Sequence, residues 1–156
     1  ASGVHARVLK RLVLFGLAAT PAFVALVGWW PLNILFTLGV ATAIVTLLEL
    51  GGWRRRLGAA VLFLVGGAVV EFWWPALLTC LGAWLFLRKP TPAHLAGWVL
   101  GTASLALVNG NFAALGALPL IWAARHLALT LPRYRWIFYA FYPAHLTAIA
   151  LVVAAR

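Results

Sequence analysis

Between Arg11 and Glu49 the chain runs through 37 consecutive positions without a charged side chain. As one helix at 1.5 Å per residue that run would be about 55 Å long, nearly twice a hydrocarbon core of about 30 Å. It has to fold back. Residues 28–33, Gly-Trp-Trp-Pro-Leu-Asn, supply the turn, because two interfacial aromatics meet a proline that favours breaking or starting a helix. The same reasoning divides 57–87 at Glu71-Phe72-Trp73-Trp74-Pro75 and 90–124 at the turn sequence Asn109-Gly110-Asn111. The last run, 136–155, crosses once. The pattern predicts an all-α fold, a polytopic transmembrane helix bundle of about seven spans, with residues 1–156 forming a single transmembrane domain. The stretches 57–70 and 76–87 are short for spans, so snorkelling or partial insertion is expected there.

Composition agrees: 65% of the residues are hydrophobic and 9% charged, where soluble domains run at about 45–50% and 25%. The mean hydropathy is +1.04. The net charge of +10 does not imply nucleic acid, since that partner needs a basic face on a soluble domain. The charges instead cluster at Arg7 to Arg11, Glu49 to Arg56, Arg88 to Lys89 and Arg125 to Arg135, while the three hairpin turns hold no Lys or Arg. That is the positive-inside pattern, which puts the basic ends and the N-terminus in the cytoplasm and the tryptophan turns in an aromatic belt opposite. The opening ASGVHARVLKR, without an initiator Met, reads as a loop with other chain before it. Cys80, the only cysteine, reads as a buried structural thiol. Trp29-Trp30-Pro31 and Trp73-Trp74-Pro75 echo one another at equivalent turns, through two independent interfacial belts or through a parallel duplication.

Polar side chains at membrane depth are costly, so they carry information. In FYAFYPAHLTAIAL, residues 138–151, His145 lies nine residues in from Trp136, about 13 Å deep. Tyr139, Tyr142 and His145 share a broad helical face, and Pro143 leaves the Tyr139 carbonyl without its helical donor. His145 is a candidate base or orienting group, or a neutral partner in a helix-to-helix hydrogen bond. Asn33 and Thr37 lie one turn apart near the outer surface, with Glu49 near the inner one, paired with Arg54 to Arg56. Glu71 is an interfacial carboxylate that either reaches water or receives an amine. Asn109 belongs to turn chemistry or to a hydrogen-bonding lip. Arg54, Arg55, Arg56, Arg133 and Arg135 suit a phosphate-bearing ligand or serve orientation alone. No phosphate-cradling glycine loop and no His/Cys metal spacing is present, and Asp is absent altogether, which excludes a Ser-His-Asp triad within this chain.

Three stretches, GWWPLNILFTLGVAT at 28–42, VEFWWPALL at 70–78 and RWIFYAFYPAHL at 135–146, resemble the TraX family of membrane proteins in order and spacing. The resemblance covers essentially the whole chain. It implies a bacterial inner-membrane acetyltransferase related to the transmembrane acyltransferases, with acetyl-coenzyme A as donor and a pilin-like acceptor. Asn33, Thr37, Tyr142 and His145 match the family motifs. Family members begin with a helix carrying an Asp-His pair and a following Gly-Arg helix, which this sequence lacks, so it resembles the later part of a member. His145 and Tyr142 are then expected in the catalytic pocket, with Asn33, Thr37, Tyr139, Glu71 and Asn109 toward the acceptor. The competing readings are a non-enzymatic assembly factor for a pilin-like substrate and a small transporter.

Overall fold

The computed structural model describes residues 2–127 and 135–155, apart from the side chains of Ser2, Arg125 and Arg135. The described chain is helical: α1 (Ser2–Leu26), α2 (Ile34–Leu50), α3 (Trp53–Val69), α4 (Trp73–Arg88), α5 (Pro92–Ser104), the single turn α6 (Ala106–Asn109), a 3₁₀ turn (Ala113–Gly116), α7 (Ala117–His126) and α8 (Arg135–Ala154). Among the described residues two helices, Gly3–Leu26 and Trp136–Ala154, are long and apolar enough to cross a membrane. The helices α2, α3 and α4 are 17, 17 and 16 residues, close to 25 Å each. The opening stretch is not a loop: α1 begins at Ser2 and carries its basic residues on a continuous helix.

Two compact units divide the chain, Ala1–Trp73 with Tyr134–Arg156, and Trp74–Arg133. In the first, α1 packs against both α2 and α8, and α2 against α3. Leu12, Leu35 and Tyr139 form its buried cluster, flanked by Phe15, Leu38 and Tyr142. The Phe15 and Tyr139 rings stack at 5.6 Å. The turn from α2 to α3 takes two residues, Gly51 at φ 68° and Gly52 at φ 84°, a left-handed pair that residues with a Cβ rarely adopt. His5 Nδ1 lies 3.8 Å from Glu49 Oε2, and the Arg11 guanidinium sits 4.8 Å over the Trp136 ring. The start of α1, the end of α2 and the start of α8 thus share one end of the unit, as the charge pattern predicts. His5, expected in a loop, is helical and faces Glu49.

The two tryptophan-proline echoes differ locally. Trp29, Trp30 and Pro31 lie in an irregular connector, whereas Trp73, Trp74 and Pro75 form the first turn of α4. The two connectors pair with each other: Leu32 N–H donates to Val69 O at 2.8 Å and Glu71 N–H to Leu32 O at 2.7 Å. Phe72 and Trp73 follow at φ 60° and 49°, a left-handed conformation that costs non-glycine residues roughly 1–2 kcal/mol each.

In the second unit α4 and α5 touch backbone to backbone. A Cβ on Gly82 would stand 2.7 Å from Trp98 Cα, and one on Gly101 would stand 2.9 Å from the Leu78 carbonyl. Gly82→Val therefore forces the helices apart and should cost about 1–3 kcal/mol. Gly97, on the same α5 but facing open space, should accept alanine with a gain of roughly 0.5–1 kcal/mol. Thermal unfolding of both variants in micelles checks the contrast, and equal melting temperatures would contradict the close approach.

Candidate functional site

The site grows from the first turn of α2. Asn33 is the N-cap, its Oδ1 accepting from Leu35 N–H at 3.1 Å, while its Nδ2 donates to Gly16 O at 3.0 Å and to Thr20 Oγ1 at 3.4 Å. At 1% exposure it spends its hydrogen-bonding capacity on joining α2 to α1. Gly16 makes this approach feasible, since a Cβ there would stand 3.2 Å from the Phe36 ring. Thr37, fully buried, donates to the Glu71 backbone carbonyl at 3.0 Å and so ties the second connector to α2. Both residues were read as acceptor-binding positions near the outer surface. Their polar groups make ties within the fold, and Asn33 sits beside the middle of α1. Gly16 is five residues from Arg11 and ten from Leu26, or about 8 and 15 Å along the helix.

What these ties hold in place is Glu71. Its Oε2 is buried and has no hydrogen-bond partner. The Ile34 N–H at the first turn of α2 acts on both the Glu71 carboxylate and the Tyr142 hydroxyl, and the Glu71 charge acts on Tyr142. Glu71 lies in the connector between α3 and α4. Burial there pushes its carboxyl above the ordinary carboxylate range, and the Ile34 N–H offsets only part of that rise. A carboxylate raised in this way moves toward the range useful for a general base.

Along α8, Tyr139 is buried against Leu12 and Phe15 of α1, and Tyr142 faces Ile34 and Glu71. His145 stacks on Phe141 at 4.9 Å and meets the Tyr142 ring edge-on at 5.4 Å. Its Nδ1 lies 3.0 Å from Phe141 O. A carbonyl only accepts, so Nδ1 carries the proton and, in the neutral ring, Nε2 keeps the lone pair. Of the face predicted for Tyr139, Tyr142 and His145, the two tyrosines meet α1 and the start of α2, while the ring contacts of His145 lie within α8.

The arginines divide differently from expectation. Arg54, Arg55 and Arg56 begin α3 beside the far end of α2, so about 25 Å of helix separates them from Ile34. Arg55 donates to Leu50 O at 2.8 Å and Arg54 lies 5.5 Å over Trp53, a helix-turn role. Arg133 lies outside the described residues, and of Arg135 only the backbone, the first residue of α8, is described. Asn109 belongs to the second unit, where its carbonyl accepts from Asn111 Nδ2 at 3.0 Å, as turn chemistry requires. Among the described residues, Arg11 lies over Trp136 and 6.0 Å from the Tyr139 ring. Sequence reading assigned Arg11 to topology alone. The signal available was its spacing from Phe15, one turn on, which puts both on the α1 face that meets α8.

An all-helical membrane protein that gathers a half-buried carboxylate, a half-buried tyrosine and a helix N-terminus is the class these features define. Within that class the match is specific: the family model described as TraX protein covers residues 1–153, and the chain belongs to the TraX family. No curated protein and no solved structure matches it.

Proposed function

We propose that the protein is an inner-membrane acetyltransferase, multi-pass with its N-terminus cytoplasmic, that moves an acetyl group from acetyl-coenzyme A to an amine or hydroxyl acceptor such as a pilin N-terminus. The observation that carries this reading is the unpartnered Glu71 Oε2 beside Tyr142 and the N-terminus of α2. An incoming amine is a donor of the kind that oxygen lacks. As the amine nitrogen bonds to the acetyl carbon and the carbon–sulfur bond breaks, Glu71 takes the amine proton and the coenzyme leaves as thiolate. The α2 dipole stabilises negative charge developing on the carbonyl oxygen. Tyr142 orients the acceptor, and His145 Nε2 offers a second proton relay one turn along α8. Arg11, about 8 Å along α1 from the cluster, suits the phosphates of the donor better than the remote Arg54 to Arg56, and its position supports transfer on the basic, cytoplasmic side.

Purified protein in nanodiscs, given labelled acetyl-coenzyme A and an amine-bearing peptide, should transfer label. Tyr142→Phe and His145→Ala should each lower kcat by roughly 100-fold. Arg11→Gln should instead raise KM for the donor about tenfold, because a charge-assisted phosphate contact contributes about 1.5–3 kcal/mol. Absence of transfer, or unchanged rates in both α8 variants, would leave the assembly-factor reading. That reading draws support from Asn33 and Thr37, whose polar groups already serve the fold.

A further inference from the structure

The second unit carries a groove that the acetyl-transfer reading does not use. It has a volume of about 460 Å³ and is walled by Phe86 and Leu87 of α4, Leu95 and Trp98 of α5, and Leu118 and Trp122 of α7. No charged or hydrogen-bonding side chain lines it apart from the two indoles, and its size falls within the range of ligand pockets, about 300–1,000 Å³. Its lining rings have neighbours: the Phe86 and Trp98 rings contact at 5.7 Å and Trp122 meets His126 at 4.7 Å.

Two cations follow the groove-lining end of α4 in sequence. The lining residues Phe86 and Leu87 run directly into Arg88 and Lys89, both exposed at the end of α4. The Arg88 guanidinium lies 5.4 Å over Trp84, which settles its stem on the helix, and Lys89 O lies 2.6 Å from His94 Nδ1, which ties the α4–α5 turn beneath the lysine. An apolar groove with indoles in its wall, next in sequence to two exposed cations, matches one ligand chemistry: an acyl chain that carries an anionic head. We propose that this groove is a specific site for a phospholipid with a negatively charged headgroup, one acyl chain along α5 and α7 and the phosphate at Arg88 and Lys89. A zwitterionic lipid offers the same chain without net charge for the two cations, and a free phosphate offers the charge without the chain.

Native mass spectrometry of the full chain released from vesicles of equal phosphatidylglycerol and phosphatidylcholine tests the proposal. Retained phosphatidylglycerol should exceed phosphatidylcholine roughly tenfold, as two basic residues at an anionic surface predict. The double variant Arg88→Gln with Lys89→Gln should bring the ratio near one. Val99→Trp, which fills the groove from α5, should lower retention of both lipids, and Leu118→Phe serves the same purpose if the larger ring prevents folding. Equal retention of the two lipids by the unaltered protein would overturn the proposal, as would unchanged retention in both filled variants. Displacement by millimolar glycerol phosphate alone would place the binding in the headgroup and overturn the groove. The outcome is independent of acetyl transfer.

Discussion

Glu71→Gln should abolish acetyl transfer, by roughly 100-fold to 10,000-fold for a lost general base, and at the same time make the folded protein more stable at neutral pH. Both effects follow from one oxygen. Glu71 Oε2 is buried without a partner, and a buried unsatisfied acceptor costs on the order of 1–3 kcal/mol, more when charged. Glutamine removes the charge and keeps an acceptor for Ile34 N–H. The pH dependence has a defined sign. The carboxyl is raised in the folded state, so the folded protein prefers the protonated form. Any advantage of that form is complete below the unfolded pKa and is lost as pH rises through the folded one. The stability gap between Glu71→Gln and the unaltered protein should therefore be small in acid and open as pH rises past the ordinary carboxylate range. Thermal unfolding at a series of pH values, paired with label transfer, measures both. A variant that keeps its activity removes Glu71 from the chemistry, and one less stable at neutral pH shows that the oxygen has a partner.

Asn33→Leu should destabilise the first unit by roughly 3 kcal/mol. It deletes a helix cap, which contributes about 0.5–2 kcal/mol, and removes the Nδ2 hydrogen bonds to Gly16 O and Thr20 Oγ1, each contributing about 0.5–1.5 kcal/mol. Asn33→Ser separates the two contributions, because serine can cap Leu35 but cannot reach across to α1. It should recover about 1 kcal/mol of the loss. Melting temperatures of the two variants in nanodiscs settle the order. If serine and leucine are equally destabilising, the cap contributes nothing and the tie to α1 accounts for the whole effect. A leucine variant as stable as the unaltered protein would refute the joint role of Asn33.

The candidate site was legible in part. Tyr139, Tyr142 and His145 declare a shared face through helical spacing, because a periodicity of 3.6 is a local property of the chain. Glu71 stands out because it is one of two acidic residues in the sequence. Neither signal says that Glu71 meets Tyr142, since that contact joins a connector to a helix 71 positions later. Asn33 and Thr37 look alike as polar groups in an apolar run whether they serve a ligand or the fold. Only their partners, Gly16 O, Thr20 Oγ1 and the Glu71 carbonyl, assign them to the fold. The arginines mislead for a related reason. Charge counting predicts which end of a helix faces the cytoplasm, but it carries no distance, and a helix of 17 residues puts Arg54 to Arg56 far from Ile34 while leaving Arg11 near.

The sequence by itself determined the all-helical class, the gathering of the basic residues at the helix ends and the positions of the reversals, because hydrocarbon obliges every span to satisfy its own backbone and charge to stay at its ends. Tertiary structure alone decided that the two tryptophan-proline connectors pair with each other, that they come to rest beside the middle of α1, and that a carboxylate is left there without a partner. Those outcomes depend on how closely a side chain of one helix can approach the backbone of another, as the Phe36 ring does at Gly16, and on contacts between residues distant in sequence, which local periodicity does not encode.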